Sequence, residues 1–513
     1  MKQFFLLVTF SLALVPAIQA ELKLPAVIGD HMVLQQRQRN LIWGQDTAGT
    51  KVTVSFAGRS LSTTTGADGR WSVTLATLPA NATPQTLAII GSTRREIQDV
   101  LIGEVWLCSG QSNMQLGIDQ AQDGAKEIAA ANFPNIRLLL VPNSGKPEPQ
   151  LDQSGAWKVC TPENVAQGGW SGFSAAGYFF GRELHHNLNV PVGLIEATWG
   201  GTPIQPWMPL GALKAYPGYA ALMDRKQKEI AGWPAREKQL EADIKSWELA
   251  TAQAEAAHQA VPPKPWNPGP PDSEQYMPAQ LYNAMIHPLV NFRIRGVLWY
   301  QGEANAGEGL SGARDYTDLQ SRMIAGWRRD WGLGNFPFFF VQLPNWINND
   351  DRSQTSWAYF REGQATVLKV PNTGMAVTID IGDPENIHPK NKQEVGRRLA
   401  LLALKNVYHQ KVLCQGPEYW KDKSKGPELK IYFHHTDGGL VAHGGKLNGF
   451  VVAGADRQWH PADARIAGST ILVSSKEVPQ PVAARYDWAN NPEGNLYNGA
   501  GLPAMPFRTD DWL

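Results

Sequence analysis

The pattern of apolar and polar positions changes twice along the chain. Near its start, short runs of β-forming residues, such as Val-Thr-Val-Ser-Phe at 52–56 and Trp-Ser-Val-Thr-Leu at 71–75, are separated by turn residues such as Asp68 and Gly69. Short β-rich runs bounded by turn chemistry are typical of antiparallel sheets. The pattern therefore predicts a small β-sandwich over residues 21–99.

The middle of the chain has a different texture. Continuous apolar runs, such as Val-Trp-Leu-Cys at 105–108 and Val-Leu-Trp-Tyr at 297–300, alternate with segments of helical periodicity such as 177–188. Short, fully apolar strands followed by helices indicate a parallel sheet covered on both faces. We therefore predict a doubly wound α/β domain over residues 100–410.

Two further segments complete the predicted organisation. Residues 210–271 are rich in Ala, Glu, Lys and Gln and then in Pro and Gly, and they predict a helical hairpin broken at Gly-Trp-Pro 232–234 with an extended exit. This insertion is a candidate wall or lid beside the site. Short strands return after about Cys414 and predict a C-terminal β-rich domain over residues 411–513. Whether the two β domains pack together stays open.

Length and charge narrow the function classes. A chain of 513 residues exceeds what one hydrophobic core usually serves. With 47 basic and 47 acidic side chains the formal net charge is zero, which argues against nucleic acid and anionic membranes as partners. The three cysteines, Cys108, Cys160 and Cys414, allow at most one disulfide and are too scattered for a zinc cluster.

The first residues of the chain read as a targeting segment. Residues 1–20 begin with a lysine at position 2, continue through an apolar run and end at Ala-Ile-Gln-Ala, which predicts a signal peptide cut after Ala20. The run is too short to span a bilayer. We therefore expect an exported protein, periplasmic or secreted, without a membrane anchor.

The sharpest chemical signal is Gly-Gln-Ser-Asn-Met at 110–114, directly after an apolar strand. A serine beside glycine is usually an ordinary turn residue. A nucleophilic serine, however, needs a strand-to-helix turn, because the turn exposes its hydroxyl and aims the first helical N–H groups at an oxyanion. Ser112 is therefore the candidate nucleophile, and its partners should follow other strands of the sheet, where ligands bind.

Three other predicted strands end in residues that suit such a site. The glycines Gly200 and Gly201 follow one strand, and Gln-Gly-Glu-Ala-Asn at 301–305 follows the next. A third strand is followed by several carboxylates and then by His388. Acyl transfer needs a base of near-neutral pKa beside the serine, and His388 is the one of eleven histidines in this context.

Together these blocks resemble the sialate O-acetylesterase family within the SGNH, or GDSL-like, hydrolases. The resemblance extends from Gly-Glu-Val-Trp at 103–106 to Leu-Pro-Ala-Met-Pro-Phe-Arg-Thr-Asp at 502–510. It implies a serine carbohydrate O-acetylesterase in which Ser112 is the nucleophile and His388 the base. It implies no metal and no organic cofactor.

The same resemblance places the oxyanion hole. Its donors would be the Ser112 N–H, the glycine pair with Gly201, and an amide of the 301–305 block. Other SGNH hydrolases use an asparagine in that third block, and in this chain Gln301 and Asn305 compete for the role.

The acid of the triad departs from the usual pattern. SGNH hydrolases commonly carry Asp three residues before the histidine, and this chain has Glu385 there. Glu385 is therefore the predicted acid, with Asp383 as the alternative, because glutamate can replace aspartate in hydrolase triads. A Ser-His dyad held by a backbone carbonyl is a third possibility.

The implied partner is an O-acetylated carbohydrate, and two classes compete. These are O-acetylated sialic acids and plant cell-wall polysaccharides such as acetylxylan or xyloglucan. A sialate site should place an arginine against the sugar carboxylate, and the place of Arg361 in the fold bears on this choice. A non-catalytic carbohydrate-binding protein is disfavoured because nucleophile and base are both present. The sequence predicts nothing about oligomeric state.

Overall fold

The computed structural model of this chain describes residues 21–307 and 309–512. The signal peptide predicted for residues 1–20 lies outside them. Within the described ranges, no helix has both the length and the apolar character that crossing a bilayer requires.

The N-terminal region is β-structured and leads into the centre of the molecule. Its strands are β1 (Val33–Gln35), β2 (Leu41–Gln45), β3 (Lys51–Phe56), β4 (Arg59–Thr64), β5 (Arg70–Thr74), β6 (Asn81–Ile90) and β7 (Arg94–Gly110). All pairings among them are antiparallel except that of β1 with β7. Strand β7 is 17 residues long, and its second half is continuously buried. It therefore belongs both to the N-terminal region and to the central sheet.

The central sheet is mixed. Its further strands are β8 (Phe133–Leu140), β9 (Trp157–Cys160), β10 (Val192–Thr198), β11 (Gly296–Tyr300), β12 (Phe338–Val341) and β13 (Thr373–Ala376). They run in the order β13-β12-β11-β7-β10-β8-β9, and every pairing is parallel except that of the edge strand β9 with β8. The α/β class predicted from the sequence is confirmed.

Helices cover both faces of this sheet. The helices of the described chain are α1 (Ser112–Gln115), α2 (Gly124–Ala130), α3 (Pro162–Val165), α4 (Ala175–Leu188), α5 (Leu210–Lys214), α6 (Tyr219–Ala256), α7 (Gly309–Trp331), α8 (Ser356–Thr366) and α9 (Lys392–Asn406). On one face Phe180 of α4 meets Trp106 of β7 with ring centroids 5.0 Å apart. On the other, Trp327 of α7 meets Trp299 of β11 at 5.9 Å. Gly296 of β11 pairs with Trp106 of β7, and Trp299 lies three residues after Gly296. Because side chains alternate between the two faces along a strand, Trp106 and Trp299 lie on opposite faces of the sheet.

Short turns of 3₁₀ or π helix connect these elements. They lie at Ile118–Gln120, Gln205–Trp207, Tyr282–Ile286, His287–Leu289, Glu303–Asn305 and Val367–Lys369. The turn Glu303–Asn305 follows β11 directly and carries one of the blocks singled out in the sequence.

The inserted segment differs from the predicted hairpin. Helix α6 is one continuous helix of 38 residues with Pro234 inside it, so the break expected at 232–234 was wrong. A proline removes one backbone hydrogen bond, but α6 is mostly exposed and water can satisfy the freed carbonyl. Its good helix formers and pairs such as Lys228 with Asp224 at i,i+4 support the uninterrupted helix.

The C-terminal region is β-rich and has its own hydrophobic cluster. Its strands are β14 (Glu418–Lys425), β15 (Glu428–His434), β16 (Leu440–Ala442), β17 (Phe450–Ala453), β18 (Trp459–Pro461), β19 (Asp463–Ala467), β20 (Thr470–Ser474), β21 (Ala483–Tyr486), β22 (Leu496–Asn498) and β23 (Phe507–Arg508). They form separate small sheets around buried residues that lie between Leu429 and Phe507. Arg508 joins this region to α8 through an ion pair with Glu362 at 2.8 Å.

Candidate active site

The candidate nucleophile lies on a sharp turn from β7 into α1. Gly110 ends the strand with φ +138°, and a Cβ there would lie 2.1 Å from the Tyr300 carbonyl oxygen of β11. The turn therefore requires glycine. Ser112 begins α1 two residues later and is only 9% exposed. The strand-to-helix position predicted for this serine is observed.

The candidate base comes from the loop between β13 and α9. His388 Nε2 lies 2.8 Å from Ser112 Oγ, although the two residues are 276 positions apart in the chain. The His388 backbone N–H donates to Asn386 Oδ1 at 2.9 Å, which helps to fix the loop. Trp170 contacts the imidazole edge to face, with centroids 4.9 Å apart. The structure thus brings the two residues selected from the sequence into hydrogen-bond distance.

The imidazole is held in its neutral form. Burial lowers the pKa of His388 from 6.5 to about 4, and the positive charge of Lys392 acts in the same direction. A neutral ring is what a proton acceptor requires. At neutral pH, His388 is therefore ready to take the hydroxyl proton of Ser112.

Neither predicted acid contacts the base. Glu385 is exposed, and its backbone N–H donates to Asp383 Oδ1 at 3.0 Å. Within residues 21–307 and 309–512, no carboxylate forms a hydrogen bond with the His388 ring. The structure thus brings Ser112 and His388 together but leaves Glu385 and Asp383 apart from them.

A buried amide next to the nucleophile ties three parts of the site together. Asn113 Nδ2 donates to Glu303 Oε1 at 2.5 Å and to the Ile387 carbonyl at 2.9 Å. Its Oδ1 accepts from Lys392 Nζ at 2.6 Å. Asn113 therefore links the nucleophile turn to the residue before His388, to the block after β11 and to α9. We call Asn113, Glu303 and Lys392 the amide clamp.

The two charges of the amide clamp are perturbed by burial. Lys392 is fully buried, which lowers its pKa to about 7 against the opposing effect of Glu303. Burial raises the pKa of Glu303. Sequence reasoning missed Glu303 and Lys392 as site residues, because a lysine opening an amphipathic helix carries no local sign of burial. Asn113 was within the motif but was not selected.

The glycine pair lies beside Ser112 and its two N–H groups differ. The Gly200 N–H donates to Gln115 Oε1 at 2.8 Å and is therefore engaged. A Cβ on Gly200 would lie 3.3 Å from Ser112 Cβ, which shows how closely the turn approaches the nucleophile. Gly201 has φ +73°, a conformation that favours glycine. In the described part of the chain its N–H has no acceptor.

Gln301 and Asn305 have different environments. Gln301 is fully buried, and its Nε2 donates to Asn305 Oδ1 at 2.8 Å and to the Thr202 carbonyl at 3.2 Å. Its amide is therefore committed to the protein. Asn305 is partly exposed, and its Nδ2 makes a single long contact of 3.3 Å with Gln205. Of the two, only Asn305 has donor capacity left for a ligand.

A cavity of about 400 Å³ opens beside these groups. Its lining includes Gly201, Asn305, Lys226 of α6 and Tyr276. Residues of the insertion therefore line part of this cavity.

Arg361, the arginine considered for binding a sugar carboxylate, lies outside the candidate site. It is fully buried in α8, and its guanidinium donates to four backbone carbonyls, those of Leu343, Pro344, Ala489 and Asn490. These bonds hold α8 to the C-terminal region and leave Arg361 no role against a sugar carboxylate.

The polar groups around Ser112 are a hydroxyl, an imidazole, amides and the buried charges of the amide clamp. No group of three or more His, Cys, Asp or Glu side chains in the described ranges is arranged to hold a metal ion.

Comparison with known proteins identifies a family that this chain matches. Residues 102–242 and 256–405 match the family described as carbohydrate esterase, sialic acid-specific acetylesterase. The sialate O-acetylesterase of Rattus norvegicus is 34% identical over 424 aligned positions, and the alignment covers 76% of this chain and 74% of the relative. That of Homo sapiens is 31% identical over 530 aligned positions, gaps included, and the alignment covers 94% of this chain and 91% of the relative. A crystal structure of a carbohydrate acetylesterase from Xanthomonas citri matches with TM-score 0.81 and 35% identity, covering 96% of this chain and 100% of that one.

Proposed function

This chain belongs to the sialic acid-specific acetylesterase family of carbohydrate esterases, and we propose that it removes O-acetyl groups from carbohydrate with Ser112 as nucleophile and His388 as base. It is a carboxylic ester hydrolase. The observation that carries the proposal is the 2.8 Å distance from Ser112 Oγ to His388 Nε2, with the serine at the start of a helix.

Acyl transfer then proceeds in two steps. His388 takes the Ser112 proton while Oγ attacks the acetyl carbonyl, and the protonated imidazole gives that proton to the departing sugar oxygen. Water, activated by the same imidazole, attacks the acetyl-serine and releases acetate. The low basicity of the buried ring keeps it neutral before each attack.

The tetrahedral oxyanion needs fixed donors. We assign this role to the N–H groups of Ser112 and Gly201 and to Asn305 Nδ2. The free N–H of Gly201 in the described chain and the spare donor of Asn305 support the assignment. Gln301 then acts by holding Asn305 in place through its 2.8 Å hydrogen bond. Each such donor typically contributes about 10²–10³ in kcat.

The acid stays a proposal with two candidates. Glu385 has the spacing usual in SGNH hydrolases, and Asp383 lies two residues before it. Catalytic hydrogen bonds are often long in a free enzyme and tighten with substrate, so we keep both carboxylates as candidates. If neither residue acts, the reaction runs through a Ser-His dyad.

The domain assignment and localisation belong to the same proposal. An SGNH-type hydrolase domain over residues 100–410 would be flanked by the β regions 21–99 and 411–513. Residues 1–20 would direct export. The rat and human relatives are sialate O-acetylesterases, which supports O-acetylated sialic acid over acetylated plant polysaccharide as substrate.

Ser112→Ala tests the assignment. Acetate release from p-nitrophenyl acetate and from an O-acetylated sialoside should fall by roughly 10³-fold or more, as in triad knockouts. Ser109→Ala is the matched control, because Ser109 is buried three residues earlier in β7 and its hydroxyl has no partner in the described chain. A fluorophosphonate should label Ser112, as read by mass spectrometry of the peptide. Activity of Ser112→Ala within a few-fold of wild type would refute the proposal.

A further inference from the structure

One tryptophan beside the base is exposed. The Trp170 residue is 39% exposed, and its ring centroid lies 4.9 Å from that of His388 at an interplanar angle of 83°. Five indoles around the central sheet are instead buried below 2% exposure; these are Trp106, Trp207, Trp299, Trp327 and Trp357. Indoles bury large areas when they pack in a core. Trp170 thus keeps apolar surface in water at the edge of the catalytic pair.

The loop that carries Trp170 has an unusual backbone. Gly168, Gly169 and Gly172 have φ of +78°, +50° and +106°, and Ser171 between them has +62°. Glycine adopts such angles freely, but serine does so at a cost. Left-handed residues persist where the surrounding structure enforces them and cluster at functional sites. The loop therefore holds Trp170 in a defined place.

This loop is fastened to the segment that follows the nucleophile helix. The Gly117 N–H donates to the Trp170 carbonyl at 2.8 Å, and the Asp119 N–H donates to the Ser171 carbonyl at 3.3 Å. A Cβ on Gly117 would lie 2.2 Å from the Ser171 oxygen, so the two backbones touch. Because Gly117 is five residues from Ser112, the position of the indole is fixed relative to the nucleophile.

The chemistry of the loop favours a ligand that presents an apolar face. Residues 166–172 read Ala-Gln-Gly-Gly-Trp-Ser-Gly and contain no charged side chain. The C–H face of a pyranose ring is apolar, and covering an exposed indole with it removes apolar surface from water. The hydroxyl of Ser171 and the amide of Gln167 in this loop suit hydrogen bonds to the hydroxyl groups at the edge of the sugar ring.

We propose that Trp170 forms a subsite for a pyranose ring, on the His388 side of the nucleophile, and stacks against the sugar that carries the acetyl group. The proposal rests on the esterase function proposed above. It makes Trp170 a residue that selects acetylated sugars over simple acetyl esters. The sugar ring would lie over the indole while its acetyl carbonyl reaches Ser112.

The test compares two substrates in three variants. Trp170→Ala should raise KM at least tenfold for a mono-O-acetylated methyl pyranoside, and kcat/KM should fall at least tenfold further for this sugar than for p-nitrophenyl acetate. Trp170→Phe keeps an aromatic face and should recover part of the loss. Trp420→Ala is the control, because Trp420 is 53% exposed on β14 of the C-terminal region. It should leave both substrates unaffected.

A binding measurement separates this proposal from the esterase proposal. In the Ser112→Ala background, calorimetry should detect binding of the acetylated pyranoside. Adding Trp170→Ala should raise the dissociation constant at least tenfold. Equal loss on both substrates in Trp170→Ala would mean that the indole only supports His388, and unchanged sugar binding would mean no contact; either result overturns the subsite. Full p-nitrophenyl acetate activity in Ser112→Ala would instead overturn the nucleophile assignment.

Discussion

Replacing Lys392 by methionine should move the acid limb of the pH–rate profile. In the proposed mechanism His388 accepts the Ser112 proton only when its ring is neutral, so activity is expected above the pKa of His388 and should be lost as pH falls through that pKa. Burial and the Lys392 charge together lower that pKa from 6.5 to about 4. Removing the charge should raise the pKa of His388, and the acid limb should therefore appear at higher pH.

The size of the effect follows from the fraction of neutral ring. At pH 5.5 a histidine of pKa 6.5 is neutral in about 9% of molecules, and one of pKa about 4 in about 97%. The wild type should thus keep nearly full activity where an ordinary histidine would lose about tenfold. The pKa of Lys392 is about 7, so its charge is present throughout the acid limb. Burial is the larger cause of the lowered pKa of His388, and it remains in Lys392→Met. The acid limb of this variant should therefore shift only part of the way toward pH 6.5.

The assay is kcat/KM for p-nitrophenyl acetate by pH-stat from about pH 3.5 to 8.5, which reports the pKa of the free enzyme's base. Lys392→Arg keeps the charge and should keep the limb. Lys390→Met is the matched control, because Lys390 is exposed two residues from His388. Lys392→Met leaves the Glu303 carboxylate buried without its cation, so the double variant with Glu303→Gln guards against loss of folding.

Two results would refute this reasoning. A wild-type limb near pH 6.5 would show that the imidazole is not held neutral by burial. A Lys392→Met limb that stays in place or moves to lower pH, in a protein that melts cooperatively, would show that the Lys392 charge does not act on His388.

Three further outcomes are expected. Asn305→Ala should lower kcat by about 10²–10³ with little change in melting temperature, whereas Gln301→Ala should lower both kcat and melting temperature, because it removes the buried partner of Asn305; the reverse pattern would exchange the roles. Glu385→Gln should lower kcat more than Asp383→Asn if the usual spacing holds, and unchanged kcat in both would leave a dyad. Gly396→Ala should lower the free energy of unfolding, measured in urea, by about 1–3 kcal/mol, because the new Cβ would lie 2.5 Å from Cβ of Phe179 in α4. Unaltered stability would contradict the close packing of α4 on α9.

The sequence by itself determined the local elements. Continuous apolar runs became the buried strands of the central sheet, because burial on both faces leaves no polar alternation. The turn at Gly110 and Ser112 was readable because a strand, a glycine and a helix start are all local features. His388 was found because parallel strands end at one edge, so residues after different strands converge there.

Only the tertiary structure decided how those residues are used. The sequence does not distinguish Gln301 from Asn305, and only the structure shows that the Gln301 amide already donates its hydrogen bonds inside the protein. The burial of Lys392 against Asn113 joins residues 279 positions apart, and no local pattern encodes such a contact. The continuous α6 likewise depends on the solvation of its proline turn. Patterning sets which face of an element is apolar, but hydrogen-bond partners and pKa values arise from what packs against that face.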